Sequence, residues 1–232
     1  MLNVICLKHG TKYSPAYVNK LYNMIERHLT VPHRFVCFTD NPLELNPKIE
    51  IRMLPQNQRI QGWWWKPYIF KADHFPAGDT NLFFDLDMVI VGNIDKLANY
   101  LPTEFVGLED VSRVFKTVPQ KLGSAVLKWP SGKFHDICDD LYDDPSITTR
   151  FPGDQDYIWK KYQGTIRFFP AEWIVSYKWE VRNRMELVRV NGRQVFKDVK
   201  DVPLHTDTAV LAFHGSPDPH EVQDPVILNN WR

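Results

Sequence analysis

The chain has 232 residues, enough for one sizeable hydrophobic core, and no linker or composition shift divides it. Its 28 lysines and arginines equal its 28 aspartates and glutamates, so no overall field holds nucleic acid or an anionic membrane surface. We therefore expect a single domain over residues 1–232 and do not expect nucleic acid as a partner.

The cysteines and the N-terminus indicate a reducing compartment. Cys6, Cys37 and Cys138 are far apart and lack metal-type spacing, and the first two lie in apolar runs where a thiol simply packs. The N-terminus lacks the basic flank of a signal peptide, and no apolar run reaches membrane-spanning length. These features predict a cytoplasmic protein without a transmembrane segment.

Strand and helix patterns alternate along most of the chain, which favours parallel strand pairing. In chain order, we predict a strand at 3–7, a helix from Pro15 with Ser14 as its N-cap, strands at 34–40 and 49–54, a helix at 65–75, a strand at 82–91, a helix at 94–100, strands at 105–108 and 122–129, a helix at 134–142, a helix starting near Asp154, and strands at 166–169, 173–177 and 210–213. Residues 182–201 are weakly patterned, and both a hairpin with an Asn191-Gly192 turn and a loop remain open.

The run at 82–91 places two aspartates, Asp85 and Asp87, in an apolar segment that is typical of a buried strand. A buried carboxylate without a partner is costly, so this pair needs a cation. Residues two apart share one face of an extended chain, so both carboxylates can point at one place. Such hard oxygen ligands suit Mg²⁺ or Mn²⁺ holding a diphosphate. The alternative is a strand that ends in a turn, with both carboxylates solvated or capping.

Two further loops contain candidate ligand-binding residues, one after a predicted strand and one before a predicted helix. Chains of the α/β class bind ligands beyond the carboxyl ends of their strands. His214-Gly215 follows an apolar strand directly, and His214 could join the aspartates in binding a metal or be structural. Gly153-Asp154-Gln155 stands at a helix start, where Asp154 could serve only as a cap.

An aromatic cluster with one cation is the last candidate. Lys66 follows the glycine and three tryptophans of residues 62–65, and it could neutralise phosphate charge or extend from a core helix to water. Tyr13 and Tyr17, near the end of the first strand, could stack on a base or pack against the helix below.

Together these residues resemble the nucleotide-sugar-dependent glycosyltransferases of the GT-A fold, and within them the retaining family 8 that includes glycogenin. Asp85-Leu86-Asp87 matches the DxD motif of this family, residues 153–155 match its GDQ motif, and residues 214–215 match its late histidine motif. The resemblance extends from the first strand to Pro219. It implies an α/β fold: a single Rossmann-like GT-A domain whose central mixed, mostly parallel sheet is flanked by helices.

The resemblance also implies roles for single residues. Asp85, Asp87 and His214 would bind Mn²⁺ or Mg²⁺, which grips the diphosphate of the donor. Asp154 would hold the hydroxyls of the donor sugar, and Gln155 would lie close to the reacting carbon as the second catalytic residue. The remaining donor-binding residues implied by the family are Leu7, Thr11 and Tyr13 at the nucleoside, Asp85 near the ribose, Lys66 at the sugar and phosphate, and Gly215.

The implied reaction is metal-dependent transfer of a hexose from a nucleotide-diphosphate sugar, expected to be a UDP-sugar, to a hydroxyl of a carbohydrate or glycolipid acceptor, with retention. Two positions depart from the family pattern. Gly123 stands where the family has asparagine, and Asp218 stands where many members have lysine. Asp218 would repel the diphosphate unless it points elsewhere.

Two alternatives remain. Asp85-Leu86-Asp87 also resembles the nucleophile motif of haloacid-dehalogenase-like phosphohydrolases, although that motif usually follows the first strand. Gly123 and Asp218 favour a third possibility, a non-catalytic module that binds nucleotide sugars.

Overall fold

The protein is described by a computed structural model that covers residues 1–56, 60–115, 117–182 and 204–232, together with the backbone of 185–190 and 193–198. The strands are β1 Leu2–Lys8, β2 His33–Thr39, β3 Glu50–Met53, β4 Thr80–Phe84, β5 Met88–Ile90, β6 Val106–Glu109, β7 Leu122–Pro130, β8 Arg167–Phe168, β9 Ile174–Ser176, β10 Met185–Val190, β11 Arg193–Asp198 and β12 Val210–Ala212. The α-helices are α1 Pro15–His28, α2 Asp95–Asn99, α3 Asp136–Asp143, α4 Ile147–Arg150, α5 Asp154–Tyr162 and α6 Pro225–Asn230.

The central sheet confirms the predicted mixed, mostly parallel α/β architecture. Its strand order is β3-β2-β1-β4-β7-β6-β8. The neighbours β3, β2, β1 and β4 are parallel, as are β6 and β8, whereas β7 runs antiparallel to both β4 and β6. Strands β5, β12 and β9 form a second, smaller sheet.

Apolar side chains cover both faces of the central sheet, which explains why its strands are continuous apolar runs in sequence. In β1, Val4 and Cys6 belong to the core cluster that contains α1, whereas Ile5 between them belongs to the cluster on the opposite face. The opposite cluster also contains Ile137 of α3 and Ile158 of α5. The central sheet is therefore packed between helices on both of its faces.

The predicted single strand at 82–91 is wrong, and the difference matters for the site. The chain leaves the central sheet after Phe84, turns at 85–87, and enters the smaller sheet as β5, which pairs antiparallel with β12. The backbone N–H of Asp85 still donates to the carbonyl of Ala125 in β7 at 2.8 Å, and the N–H of Met88 closes the turn on the carbonyl of Asp85 at 3.4 Å. Both aspartates thus lie in a turn between two sheets.

Two predicted helices also differ from the structure. Residues Gly62–Phe70 form a 3₁₀ helix in place of the α-helix predicted at 65–75, and Pro67 inside it has no N–H to continue an α-helical ladder. In α5 the N-cap is Gly153, so Asp154 is the first helical residue and is not the cap. The short helix α6, which shows no clear periodicity in sequence, is capped by Asp224, whose carboxylate accepts from the N–H of Val226 at 3.0 Å.

Strands β10 and β11 pair antiparallel with Val190 opposite Arg193, which confirms the hairpin; the predicted turn residues Asn191 and Gly192 lie outside the described residues. Cys6, Cys37 and Cys138 are free and buried, which confirms the packing predicted for Cys6 and Cys37. In the part of the chain that the structure describes, every helix is too short or too polar to cross a bilayer.

Lys128 is a buried cation on the central sheet. It has no exposed surface, and its ammonium donates to the carbonyl of Leu101 at 3.0 Å. Burial lowers the pKa of Lys128 from 10.5 to about 8, so the folded protein holds this proton less tightly than the unfolded chain does. The charged side chain therefore destabilises the fold below pH 8, and this penalty is relieved as the pH rises from about 8 to 10.5.

We expect Lys128→Met to raise the free energy of unfolding by about 1–3 kcal/mol at neutral pH, because it removes a buried charge and keeps the apolar stem. Urea denaturation at pH 7 and pH 10 measures the effect, and the advantage of the variant should shrink at the higher pH. A variant less stable than the wild type at pH 7 would show that the bond to Leu101 outweighs the cost of burying the charge.

Candidate active site

Asp85 and Asp87 are half-buried in the turn after β4, on either side of the buried Leu86. Both carboxylate oxygens of Asp85 lie 3.0 Å from the ammonium of Lys66. Asp87 accepts a hydrogen bond of 2.9 Å from the hydroxyl of Tyr13, which follows β1. The turn thus brings together the loop after β1, the 3₁₀ helix and the end of β4.

Lys66 is the centre of this arrangement. Its ammonium also donates to Ser124 in β7, to the carbonyl at 3.1 Å and to the hydroxyl at 2.9 Å, and it lies 3.6 Å from Oδ2 of Asp154. The residue is 7% exposed, so these contacts replace the hydration of the ammonium group. Of the two possibilities considered for Lys66, extension of its side chain to water does not occur. One buried cation therefore joins the GDQ segment to the aspartate turn.

The cluster formed by Lys66, Asp85, Asp87 and Asp154 contains more carboxylates than ammonium groups. Burial raises the pKa of Asp85 to about 7, and the charges of Asp87 and Asp154 add to the rise against the opposing effect of Lys66. Burial also raises the pKa of Asp87, although the hydroxyl of Tyr13 opposes it. Burial alone would lower the pKa of Lys66, but the carboxylates of Asp154 and Asp85 outweigh it and raise that pKa. Asp85 and Asp154 thus share the ammonium of Lys66, whereas Asp87 is bonded to Tyr13 and is influenced by the charges of Lys12 and Lys66. Further positive charge would stabilise these carboxylates.

The start of α5 supplies the other two predicted catalytic residues. Asp154 is 5% exposed, and its Oδ2 atom is buried without a hydrogen-bond partner among the described residues. Its place in the first turn of α5 suits a negative charge, because the N-terminal end of a helix carries positive partial charge. The amide of Gln155 donates to Oδ2 of Asp110 in a long bond of 3.4 Å.

His214 follows Phe213, the first residue after β12, and therefore lies at the strand end as predicted. Its Nε2 atom lies 2.7 Å from the hydroxyl of Ser176, and its ring packs against Trp179 with ring centroids 4.2 Å apart. Burial lowers the pKa of His214, and the charge of Lys178 adds to this effect. The imidazole is therefore held from two sides.

Two cavities meet at the aspartate turn. The larger, of about 450 Å³, is lined by Leu7, His9, Lys12, Tyr13, Gly62, Trp63, Lys66, Asp85, Leu86 and Asp87. The smaller, of about 240 Å³, is lined by Asp85, Asp87, Leu108, Asp110, Val111, Gly123, Ser124, Ala125, Gln155, Ala212, Phe213 and His214. Asp85 and Asp87 border both cavities, and His214 shares the smaller one with them. Most of the predicted site residues are thus assembled in one place.

Three predicted site residues, Thr11, Asp154 and Gly215, are not among the described residues that line the two cavities. Thr11 and Gly215 are exposed, whereas Asp154 is buried and joins the cluster through its contact with Lys66. Gly215 has a φ of +62°, a backbone conformation that favours glycine as the chain leaves His214. Their predicted contacts with a donor therefore stay predictions.

The predicted metal ligands share a cavity without forming a closed metal site. Over the described ranges of the chain, no group of three or more His, Cys, Asp or Glu side chains is arranged to hold a metal ion. Asp87 is bonded to Tyr13, and Nε2 of His214 is bonded to Ser176. Even so, the chemistry of these side chains fits Mn²⁺ or Mg²⁺. The carboxylates of Asp85 and Asp87 line one cavity together with the imidazole of His214, and oxygen and imidazole ligands suit such ions.

Residue type and spacing give no separate role to three residues of the site, which are Trp63, Asp110 and Ser176. Trp63 is 59% exposed and lines the larger cavity, whereas the adjacent Trp64 and Trp65 are buried, and the sequence does not distinguish these three tryptophans. Asp110 and Ser176 reach the smaller cavity or His214 only through the arrangement of β6 and β9. The position of Asp110 directly after a strand is a sequence signal that could have identified it.

The two departures from the family pattern have structural explanations. At Gly123 an added Cβ would lie 3.2 Å from the Cα of Asp110, so the bare backbone allows β7 to approach this residue and leaves the smaller cavity open. Asp218 precedes the 3₁₀ helix Pro219–Glu221, and its backbone N–H donates to Glu221 at 2.7 Å. Its charge contributes to the raised pKa of Tyr13, although burial of Tyr13 is the larger cause.

No family model matches the chain, and no curated protein matches it. Solved structures do. The galactosyltransferase LgtC, in complex with donor and acceptor sugar analogs, matches with a TM-score of 0.62 at 13% identity over 94% of this chain and 88% of its own. The glycosyltransferase GlyE of Streptococcus pneumoniae TIGR4 matches with a TM-score of 0.65 at 11% identity over 94% of this chain and 56% of its own. At these identities the likeness is one of fold, and it covers nearly the whole chain.

Proposed function

We propose that this chain, which has a GT-A-like glycosyltransferase fold, transfers a hexose from a nucleotide-diphosphate sugar to a hydroxyl acceptor. The observation that carries the proposal is the contact of Lys66 with both Asp85 and Asp154. Lys66 lines the larger cavity, and Asp85 and Asp87 border both cavities, so a buried cation and two carboxylates lie beside the place where the cavities meet. A leaving diphosphate needs such a charged centre, and a sugar needs the hydrogen-bonding groups around it.

The two cavities suit the two halves of such a donor. The larger has an apolar and aromatic wall with Leu7, Tyr13 and Trp63, which suits a nucleoside, and its volume of about 450 Å³ is within the usual range for ligand pockets. The smaller has polar groups that suit a hexose. Because Asp85 and Asp87 border both cavities, the diphosphate would lie across the turn that carries them.

Asp85 and Asp87, with His214 across the smaller cavity, are the residues that would hold the Mn²⁺ or Mg²⁺ ion. When bound, such an ion supplies positive charge that stabilises the diphosphate as the bond to the sugar breaks. Lys66 adds a fixed positive charge from the protein side. Oδ2 of Asp154 lies 3.6 Å from the ammonium of Lys66 and has no hydrogen-bond partner among the described residues, so it would accept a hydrogen bond from a sugar hydroxyl.

Gln155 and Asp110 lie on the wall of the smaller cavity. The sugar becomes oxocarbenium-like as the diphosphate departs, as in glycoside cleavage generally. A neutral amide such as Gln155 is a weak nucleophile, so attack by the acceptor hydroxyl on the face that the diphosphate leaves gives the retained configuration. The bond between the sugar carbon and the diphosphate breaks as the bond to the acceptor oxygen forms, and the departing diphosphate takes the hydroxyl proton. Gln155 donates to Oδ2 of Asp110 in a long bond of 3.4 Å, so Asp110 holds the amide at that wall weakly.

A donor screen tests the function directly. UDP- and GDP-sugars are incubated with the protein and Mn²⁺, and the release of nucleotide diphosphate is measured with water or candidate glycans as acceptors. Release from one class of donor supports the proposal. Binding of a nucleotide diphosphate without release across the panel would support the non-catalytic module, and turnover of a generic phosphate ester would support the phosphohydrolase.

The phosphohydrolase is the weaker alternative. Its nucleophile motif usually follows the first strand along the chain, whereas this turn follows β4, the fourth strand.

We expect Trp63→Ala to weaken the binding of UDP roughly tenfold to a hundredfold, because stacking of a base on an aromatic ring is worth about 1–3 kcal/mol. Pyrophosphate has the same charged centre and no base, so its affinity should not change. Isothermal titration in the presence of Mn²⁺ measures both ligands on both proteins. An equal loss for UDP and pyrophosphate would contradict the base-stacking role of Trp63.

A further inference from the structure

Ser176 is a buried serine with no exposed surface, and it ends β9 beside the smaller cavity. Its hydroxyl accepts a hydrogen bond of 3.0 Å from the backbone N–H of Trp179 and lies 2.7 Å from Nε2 of His214. The hydrogen bond from the N–H of Trp179 fixes the position of the Ser176 oxygen independently of the imidazole. A hydroxyl held in this way offers the imidazole one defined partner.

Trp179 also contacts this imidazole. The two rings are tilted at 58° with their centroids 4.2 Å apart, and Trp179 in turn contacts Phe115 with centroids 4.8 Å apart. Trp179 belongs to the π-helix Tyr177–Arg182, a rare form that is frequent at functional sites. The last residue of β9 and the helix that follows it thus both contact His214.

A half-buried ion pair between Glu180 and Arg113 anchors this segment. The carboxylate of Glu180 accepts from the N–H of Ser176 at 2.7 Å and from Arg113 at 3.3 Å. Arg113 also donates to the carbonyls of Glu109 at 2.8 Å and Ile174 at 2.7 Å. Ser176 is therefore tied to the end of β6, on the opposite wall of the smaller cavity.

We propose that Ser176 is a positioning residue that holds the imidazole of His214 in one orientation at the edge of the smaller cavity, with Nε2–H donating to the Ser176 oxygen and Nδ1 left unprotonated. The hydrogen bond made by one ring nitrogen decides which nitrogen carries the proton and how the ring is turned. Removal of such a supporting bond typically lowers the affinity of a metal site 10- to 100-fold. The consequence for ion binding rests on the proposed function; the orientation of the imidazole does not.

The test compares Ser176→Ala with Ser131→Ala. Ser131 is also buried and donates to Asn81 at 3.1 Å, but it lies after β7 and lines neither cavity, so it controls for the loss of a buried serine bond. Nitrogen NMR of histidine-labelled protein reports the tautomer of His214, and electron paramagnetic resonance measures the affinity for Mn²⁺ in the presence of UDP.

We expect a single tautomer of His214 in the wild type and in Ser131→Ala, and averaged tautomers with a 10- to 100-fold lower Mn²⁺ affinity in Ser176→Ala. An unchanged His214 spectrum in Ser176→Ala would overturn the positioning role. A wild type that binds no Mn²⁺ with UDP would count against the proposed function, and the spectrum would then decide the role of Ser176 by itself.

Discussion

Asp87→Asn is expected to lower metal-dependent release of the nucleotide diphosphate by about a thousandfold or more, because stabilisation of the leaving group by the ion is worth several kcal/mol. The asparagine keeps the shape of the side chain and can still accept from the hydroxyl of Tyr13, so the fold should be preserved. Initial rates over a range of Mn²⁺ concentrations measure the effect. They also show whether the loss lies in ion binding or in turnover.

Two controls accompany this variant. Tyr13→Phe removes only the hydroxyl that donates to Asp87 and keeps the ring, so its effect should be far smaller. Asp143→Asn removes an exposed carboxylate at the end of α3 and should leave the rate unchanged. If Asp87→Asn retained both its rate and its Mn²⁺ dependence, the assignment of Asp87 to the ion would be wrong.

Lys66→Met is expected to destabilise the protein by about 3–5 kcal/mol, because it leaves buried carboxylates without their cation. For a chain of this size such a loss lowers the melting temperature by roughly 6–20 °C. Mn²⁺ without donor should stabilise the variant more than the wild type, since Asp85 and Asp154 then lack the ammonium that balances them. Thermal unfolding with Mn²⁺ and with a chelator measures both effects.

Lys128→Met provides the matched comparison, because it makes the same chemical change at another buried lysine. Lys128 faces the carbonyl of Leu101, whereas Lys66 contacts two carboxylates. The two substitutions should therefore change stability in opposite directions. If both variants were equally stable, the pairing of Lys66 with Asp85 and Asp154 would carry no net energy, and its proposed electrostatic role would lose its support.

Much of the fold could be predicted from the sequence because its signals are local. The apolar runs of β1 and β2 and the Ser14-Pro15 start of α1 depend only on neighbours along the chain, and the structure confirms them. The strand at 82–91 failed for the same reason. Local pattern shows an apolar run but does not show that β4 pairs with β7 while β5 pairs with β12.

The sequence by itself determined the alternation of strands and helices and the positions of Asp85, Asp87, Lys66 and His214 along the chain, since side-chain period and residue type are local properties. Only the tertiary structure decided that Lys66 joins the aspartate turn to Asp154, and that Ser176 and Trp179 hold His214. These contacts link residues far apart in sequence, and they form because two sheets meet at the turn after β4. Pairing between distant strands is set by packing of the whole chain, and no short stretch encodes it.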